Sequence, residues 1–328
     1  MSIDWLLNDM FVNLDRGYLL EQNTRQQLVN YFNTVIEDFT RKNDPVSDGQ
    51  DECKQVVQAA LKFHEKSKQN NSQVCLMGKY HDLLYVAAKL CYLWDLKDTQ
   101  IICSLLSDIY SCEKTFEKLF QCAIFGTKVT QLISGWRSDY KTQDENIKAC
   151  QYFVEHAAKG AFAVSHHGLE YNLVDVPMTS YEKLSPLKVA IKADKWDVAN
   201  LLMSLGALTY VPFDHVEYEK YTLFETFIEK LEKFYECPDN LTESFAMFLR
   251  SVPRIGNVFK LEIEDDERMA VITVLNELTS KNLQEPESLK HLARCSAREY
   301  LSKNHLLPAR LSNLPVPLSI CKYIDLVD

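Results

Sequence analysis

The chain has 328 residues, of which 46% are apolar, and it contains only 9 glycines and 10 prolines. This composition is that of a globular protein and excludes wholesale disorder, and the scarcity of turn formers favours helices over a sandwich or barrel. The net charge of −10 excludes a typical nucleic-acid binder, because neutralising phosphates requires clustered lysine and arginine.

The N-terminal residues 1–12 contain Asp4 and Asp9 and lack the basic start of a signal peptide. We therefore expect no signal peptide and an intracellular protein in the cytoplasm, with the nucleus as a second compartment. The 10 cysteines stand singly, without a Cys-x-x-Cys pair, which predicts neither a zinc ribbon nor a thioredoxin-type site. No apolar stretch is long enough for a bilayer, so no membrane contact is expected.

Residues 1–79 are predicted to form an N-terminal helical region. Between Leu28 and Phe39, apolar side chains recur every three or four positions, as on one face of a helix. Polar turn formers and Pro45 then interrupt the chain over residues 43–50, and a second helix is expected from Cys53 to Phe63.

A helical motif recurs over residues 80–240. Its clearest copy opens with Ser185, which can cap a helix, and with Pro186, which suits a first turn. Small Ala190 allows a second helix to pack closely, and Gly206 ends that helix. Similar openings at residues 82, 118 and 152 make the steps between copies 36, 34 and 33 residues, and a fifth opening is suggested at Thr222.

This motif resembles the ankyrin repeat, whose helical pair opens with Thr-Pro-Leu-His-x-Ala at a period of about 33 residues. Lys188 stands where that family has His, and Asp194 where it has Gly, so the resemblance is to an irregular stack. An unrelated helical array with alanine-rich packing explains the same pattern and is the alternative. The predicted fold class is all-α, with an irregular ankyrin-like helical repeat stack between the N-terminal helices and further C-terminal helices.

Residues 241–285 are predicted to be a helical connector. Apolar and charged residues alternate over 259–263, which fits either a short strand or an extended loop. The acidic residues 265–267 then precede a predicted helix over 268–278, because negative charge is favourable at a helix N-terminus.

Residues 286–328 carry six basic and four acidic side chains, a net charge of +2 against −12 for the rest of the chain. This asymmetry predicts a C-terminal piece with its own role. Ser288 precedes a helix whose apolar positions share one face: Leu289, Leu292, Ala293, Ala297, Tyr300 and Leu301. After a break at 305–308 follow Leu314-Pro315-Val316-Pro317 and a closing Tyr323-Ile324.

This order of elements resembles a SOCS box. The helix opening is close to that family's Ser-Leu-x-x-Leu-Cys-Arg motif, although the family's cysteine falls on Ala293, which is also small and apolar. The proline-containing element matches the family's Leu-Pro-apolar-Pro. The resemblance implies that elongin C, itself paired with elongin B, binds Ser288, Leu289, Leu292, Ala293 and Ala297. It further implies that cullin-5 with its RING partner binds Leu314, Pro315, Val316 and Pro317.

Together the two resemblances imply a member of the ankyrin-repeat and SOCS-box family. The function that follows is a non-catalytic substrate-recognition adaptor of an elongin B/C–cullin-5 RING ubiquitin ligase, with an unknown target protein. The alternative is a helical scaffold without ubiquitin transfer, in which Leu289 and Leu292 pack permanently on the body. Residues 137–147 and 181–183 are candidate target contacts by their position alone.

The sequence contains none of the glycine-rich or nucleophile motifs of common enzymes, so we expect no catalytic residue and no cofactor. No metal site is expected at the adjacent His166 and His167 either, because neighbouring residues of a helix would face different ways, and a surface loop is the favoured location of this pair. Cys122 and Cys295 have no neighbouring base in the sequence and are predicted to be structural thiols.

Overall fold

The protein is described by a computed structural model over residues 22–43, 48–75, 80–209, 223–233, 238–253, 287–308, 311 and 314–326. These residues are mainly helical, which confirms the predicted all-α class. None of the helices among them is long and apolar enough to cross a membrane. The chain divides into two compact units, residues 1–168 and 169–328, so the division falls inside the range predicted for the repeats.

Over its described residues, the first unit consists of helices followed by one short strand. Their bounds are α1 Gln22–Asn43, α2 Gln50–Asn70, α3 Asp82–Leu93, α4 Thr99–Glu113, α5 Glu117–Phe125, α6 Thr127–Ser134, α7 Gln143–Lys159 and β1 Ala163–His166.

Helices α1 and α2 confirm the two helices predicted before residue 70. In α1, Phe32 and Ile36 are fully buried, so the apolar face expected from the spacing is the face that packs. Gly49 precedes α2 with φ 73°, a left-handed conformation that glycine adopts without strain. A Cβ at this position would lie 2.4 Å from the ring of Trp94, so the close approach also requires glycine.

A buried ion cluster holds α1 against later parts of the first unit. Arg25 is only 3% exposed, and its guanidinium lies 3.2 Å from Asp82 and 3.0 Å from Asp139. Its Nη2 also donates a hydrogen bond to the carbonyl of Arg137 at 2.7 Å. Asp139 is therefore buried in this cluster, whereas Arg137 and residues 141–144 are exposed, and the target contact at 137–147 stays a prediction.

The second unit begins with a strand and continues with helices. The bounds over its described residues are β2 Leu169–Asn172, α8 Pro186–Lys192, α9 Trp196–Ser204, α10 Leu223–Glu232, α11 Asp239–Ser251, α12 Leu289–Lys303 and α13 Leu318–Ile324.

The copy predicted at residue 185 folds as the helical pair α8 and α9. The Ser185 hydroxyl accepts a hydrogen bond from the backbone N–H of Lys188, Pro186 lies in the first turn, and Ala190 is fully buried. Asp194 has φ 56°, the left-handed conformation for which a glycine is usual. The helical pair is confirmed, while its assignment to an ankyrin repeat stays a prediction.

The other predicted openings have different outcomes. Helix α3 begins at residue 82 and α5 at residue 117, as expected for the copies at 82 and 118. The opening predicted at 152 is wrong, because Tyr152 lies in the middle of α7 and β1 follows instead of a second helix. The hydroxyl of Thr142 accepts from Glu145 N at 3.1 Å and caps α7 well upstream, so its later alanines belong to a helix interior.

Three predictions lie outside the described residues: the part of the N-terminal helical region before residue 22, the strand or loop at 259–263 and the helix at 268–278. The opening suggested at Thr222 is described only in part, since Thr222 itself lies outside and helix α10 begins at the next residue, Leu223.

Candidate functional site

Helix α12 begins where the sequence predicts. The Ser288 hydroxyl accepts a hydrogen bond from the backbone N–H of His291 at 3.2 Å, which satisfies one of the N–H groups that a helix start leaves without a partner. Ser288 itself is in the extended conformation that is usual for such a cap.

The polar side of α12 faces the interior of the second unit. Arg298 is 6% exposed and donates hydrogen bonds to the carbonyls of Met203 at 2.6 Å and Ile324 at 2.9 Å. Burial lowers the pKa of Arg298 to about 10, so its guanidinium is still protonated near neutral pH. These bonds fix the rotation of α12 about its axis, because turning the helix would leave a buried charge without its carbonyls.

A second polar contact on the same side comes from His291. Its Nε2 lies 2.9 Å from the carbonyl of Val252, and its Nδ1 lies 3.1 Å from Nη2 of Arg294. Arginine is always a donor, so Nδ1 accepts and Nε2 carries the proton that is donated to Val252. The thiol of Cys295 lies 3.6 Å from Nε2 of His291, and a nitrogen that already carries a proton cannot accept the proton of the thiol. This geometry supports the prediction that Cys295 is a structural thiol.

The apolar side of α12 faces solvent over most of its length, but Leu301, which the spacing assigned to the same side, is buried with 4% exposure. Leu289 is 85% exposed, Leu292 37% and Tyr300 66%, and Ala293 is exposed between them. Ala297 is half-buried, because it packs against an apolar cluster at the end of α12 that includes Leu301. Four of the five residues predicted to bind elongin C therefore lie at the surface, and Ala297 lies at the edge of the exposed side: Ser288, Leu289, Leu292, Ala293 and Ala297.

An apolar cluster joins the end of α12 to the residues after it. Its buried members are Leu301, Leu307, Leu311 and Ile324. Gly206 at the end of α9 lies against this cluster, since a Cβ there would come within 2.6 Å of Leu307. The C-terminal region is thus packed on α9 of the second unit through this cluster.

The residues predicted to bind a cullin form a bent segment before α13, in which the backbone N–H of Val316 donates to the carbonyl of Leu314 at 2.8 Å. Leu314 is half-buried against the apolar cluster and attaches the segment to it. Pro315, Val316 and Pro317 are exposed, and α13 starts directly afterwards at Leu318.

The closing Tyr323 contacts the start of α12. Its ring lies 4.1 Å from Nζ of Lys290 and 4.2 Å from Cζ of Arg294, both within the range of a cation–π contact. The tyrosine predicted from the sequence therefore connects the last helix of the region to the first.

A protein-family model matches this region: the SOCS box, over residues 285–325. No curated protein and no solved structure matches the chain. The predicted SOCS box is therefore confirmed, and it indicates a substrate receptor of elongin B/C–cullin ubiquitin ligases in general. Proteins with this box are generally adaptors rather than catalytic subunits.

Two other sequence predictions concern single residues. Cys122 is buried, and this burial raises the pKa of its thiol to about 11, as expected for a structural cysteine. Of the histidine pair predicted in a surface loop, His166 ends β1 and His167 lies in the turn that follows, and Nδ1 of His166 lies 3.1 Å from the hydroxyl of Tyr110.

A group of four side chains in the first unit was missed by the sequence reasoning. Each of His64, Cys75, His81 and Cys112 directs one ligand atom to a common point, with all four atoms within 4.8 Å of one another. The group contains no close cysteine pair that would mark it in the sequence, because its members are 11, 6 and 31 residues apart along the chain.

Proposed function

We propose that the chain is a substrate-recognition adaptor of an elongin B/C–cullin-5 RING ubiquitin ligase. In this proposal elongin C binds Ser288, Leu289, Leu292, Ala293 and Ala297, and cullin-5 binds Leu314, Pro315, Val316 and Pro317. The observation that carries it is the exposed apolar side of α12 within a region that the SOCS box family matches.

The exposed leucines support docking rather than internal packing. Burying one leucine side chain stabilises a complex by about 1.5–3 kcal/mol, and Leu289 is 85% exposed in the chain alone. Arg298 and His291 hold the opposite side of the helix, so α12 cannot bury Leu289 by rotation. An amphipathic helix held with its apolar side outward suits a hydrophobic groove on a partner.

Catalysis in such a complex would be positional. The other ligase subunits would carry the ubiquitin chemistry, and the chain would raise the local concentration of the target near them. We place target binding on the ankyrin-like helical pairs and expect the complex in the cytoplasm, with the nucleus as a second compartment.

Co-expression of the full chain with elongin B and elongin C, followed by size-exclusion chromatography at moderate salt, tests the first step. Stable co-elution is expected, whereas a folded chain that elutes alone would contradict the proposal and favour the scaffold. Deleting residues 286–328 is a poor control, because it removes Leu307 from Gly206 and Arg298 from Met203 and so uncovers the interior of the second unit. Point variants on the exposed side of α12 avoid this problem.

Cullin choice is tested separately with the double variant Pro315→Ala, Pro317→Ala. Both prolines are exposed, so the fold and the elongin complex should be unchanged. We expect the wild-type complex to bind cullin-5 and the variant complex to lose it in a pull-down with purified cullin N-terminal domains. Equal binding by both complexes, or capture of a different cullin, would count against the cullin-5 assignment.

A target protein is identified by its dependence on the box. In a reconstituted reaction, a target should be ubiquitinated by the wild-type complex and not by a complex whose chain cannot bind elongin C. Direct binding of that target to both forms of the chain would show that recognition lies outside the box, as the proposal requires. Ubiquitination that is independent of the box would exclude that protein as a target.

A further inference from the structure

Four potential metal ligands of the first unit converge at the meeting point of three helices. His64 belongs to α2, Cys75 follows that helix, His81 immediately precedes α3, and Cys112 lies in the last turn of α4. Both imidazoles are fully buried, and both thiols are half-buried. The four ligand atoms lie within 4.8 Å of one another.

The distances between these atoms are those of a tetrahedral site. Nε2 of His64 lies 3.3 Å from Sγ of Cys75 and 3.6 Å from Sγ of Cys112, and Nδ1 of His81 lies 3.6 Å from Sγ of Cys75. Zinc binds thiolate sulfur at about 2.3 Å and imidazole nitrogen at about 2.0–2.1 Å, so a tetrahedron places sulfur and nitrogen about 3.6 Å apart. The three distances agree with this geometry.

Each imidazole has a carboxylate on its other nitrogen. Nε2 of His81 lies 2.6 Å from Oε1 of Glu113, and Nδ1 of His64 lies 3.4 Å from Oδ2 of Asp108. A metal-bound histidine usually donates its second N–H to a carboxylate or carbonyl, which fixes the tautomer and the ring orientation. The two rings present different nitrogens to the common point, Nε2 and Nδ1, and in both the opposite nitrogen has the acidic partner.

Glu113 is itself held in place. It accepts hydrogen bonds from the hydroxyl of Tyr85 at 2.9 Å and from Nζ of Lys118 at 2.7 Å. The carboxylate is therefore oriented toward His81 by two further side chains, and its charge is balanced by Lys118. Such a supporting shell is typical of a built site rather than of a chance cluster.

We propose that His64, Cys75, His81 and Cys112 bind a structural Zn²⁺ ion. Two thiolates and two imidazoles form the ligand set for which zinc is the usual metal, and two thiolates neutralise its charge. Four protein ligands close the tetrahedron, so no position is left for a substrate and the role is structural. This proposal revises the expectation, drawn from the absence of close cysteine pairs and from the adjacent His166 and His167, that the chain holds no metal.

The ion would connect parts of the first unit that are distant in sequence. It would link the second half of α2, Cys75 in the segment after that helix, the start of α3 and the end of α4. Binding energy of a metal to a site that exists only in the folded chain adds directly to the free energy of folding. The rival arrangement is a metal-free cluster in which each thiol donates to an imidazole or the two sulfurs form a disulfide.

Metal analysis of the purified full chain separates these cases. Inductively coupled plasma mass spectrometry should find about one zinc ion per chain in the wild type, with loss of the metal in Cys75→Ser and Cys112→Ser. Cys103→Ser is the matched control: Cys103 lies in α4 like Cys112, but its Sγ contacts the carbonyl of His156 at 3.8 Å. This variant should retain the metal.

Two measurements on the wild type remain decisive if the serine variants do not fold. A chelator should lower the melting temperature, and Co²⁺ added to the metal-free chain should produce the visible bands of tetrahedral cobalt with thiolate charge transfer. A folded, metal-free chain that gives no thiolate band with Co²⁺ would overturn the proposal. Detection of a Cys75–Cys112 disulfide by alkylation and mass spectrometry would overturn it in favour of the redox rival.

Discussion

Helix α12 and the histidine–cysteine cluster of the first unit both depart from the usual distribution of side chains, in opposite ways. In α12 the apolar Leu289 and Tyr300 are exposed while Arg298 is buried. In the cluster, polar groups with ligand atoms are buried, and His64 and His81 have no exposed surface.

The difference indicates two kinds of partner. In α12 the buried Arg298 has protein partners, the carbonyls of Met203 and Ile324. Leu289, Leu292 and Tyr300 form an exposed apolar stripe, beside charged residues of the same helix that are also exposed. An apolar stripe gains free energy only from another large apolar surface, so it suits a protein. The lone pairs of the cluster converge on a point of atomic size, which suits a cation.

The largest expected effect is on elongin binding. The substitution Leu289→Asp places a carboxylate in the apolar groove of elongin C. It should weaken the affinity of the complex by about 100-fold or more, so that elongin B and C no longer co-elute with the chain. Leu132→Asp is the matched control, because Leu132 on α6 is 87% exposed against 85% for Leu289 and lies outside the box. Co-elution of elongin B and C with Leu289→Asp, or its loss with Leu132→Asp, would contradict the assignment of this surface.

The next effect concerns the orientation of His81. Glu113→Gln keeps the shape of the side chain but removes the charge that His81 faces, and it should weaken zinc binding by about 10- to 100-fold. Competition with a coloured chelator measures this affinity. Glu65→Gln is the control, since Glu65 is adjacent to His64 in sequence but pairs with Lys68 at 3.0 Å. An unchanged affinity in Glu113→Gln would show that Glu113 does not support the site.

A smaller effect is expected from Asp175, a buried polar group of the second unit. Burial raises the pKa of its carboxyl to about 7, although Oδ1 accepts a hydrogen bond from Leu208 N at 2.7 Å. The folded state therefore holds a proton that the unfolded state releases near its ordinary pKa of 3.8. The contribution of Asp175 to the free energy of unfolding is therefore fully present below pH 3.8 and is lost as the pH rises toward 7.

Urea unfolding of Asp175→Asn at several pH values tests this sign. Between pH 5.5 and pH 7 the wild type should lose about 2 kcal/mol that the variant does not lose. Asparagine can still accept from Leu208, so the fold should be retained. A wild type that becomes more stable over this range, or parallel curves for the two proteins, would contradict the buried, protonated carboxyl.

The smallest effect is expected at Ala293, the position at which the SOCS family's cysteine falls. Ala293→Cys adds one polarisable atom on the exposed side of α12 and should tighten the elongin complex by about 0.5–1 kcal/mol, or several-fold. Ala293→Ser adds an atom of similar position but greater polarity and should give no gain. Isothermal titration calorimetry on the two variants and the wild type separates these outcomes, and equal affinities would mean that this position lies outside the contact.

The SOCS box could be predicted because its signals are contiguous. A cap at Ser288, a 3–4 spacing of apolar residues and a proline-containing segment lie within about forty residues, and each depends on local backbone preferences. The opening predicted at residue 152 was wrong because it, too, depended on a local pattern alone. Alanines in the last turns of α7 satisfy a local pattern equally well inside a long helix.

The burial of the polar side of α12 could not be predicted in the same way. His291 and Arg298 find their partners at Val252 and Met203, which are 39 and 95 residues away along the chain. A helical period tells which residues share a side, but it does not tell which side meets the rest of the protein when both sides offer reasonable contacts.

The sequence by itself determined the helical class, the start of α12 at Ser288 and the order of elements in the SOCS box, because capping, periodicity and proline act within a few residues. Only the tertiary structure decided that Leu289 is exposed and that His64 and Cys112, 48 residues apart, share one point. The physical reason is that burial and ligand geometry depend on how helices pack, and packing joins residues whose separation along the chain carries no signal.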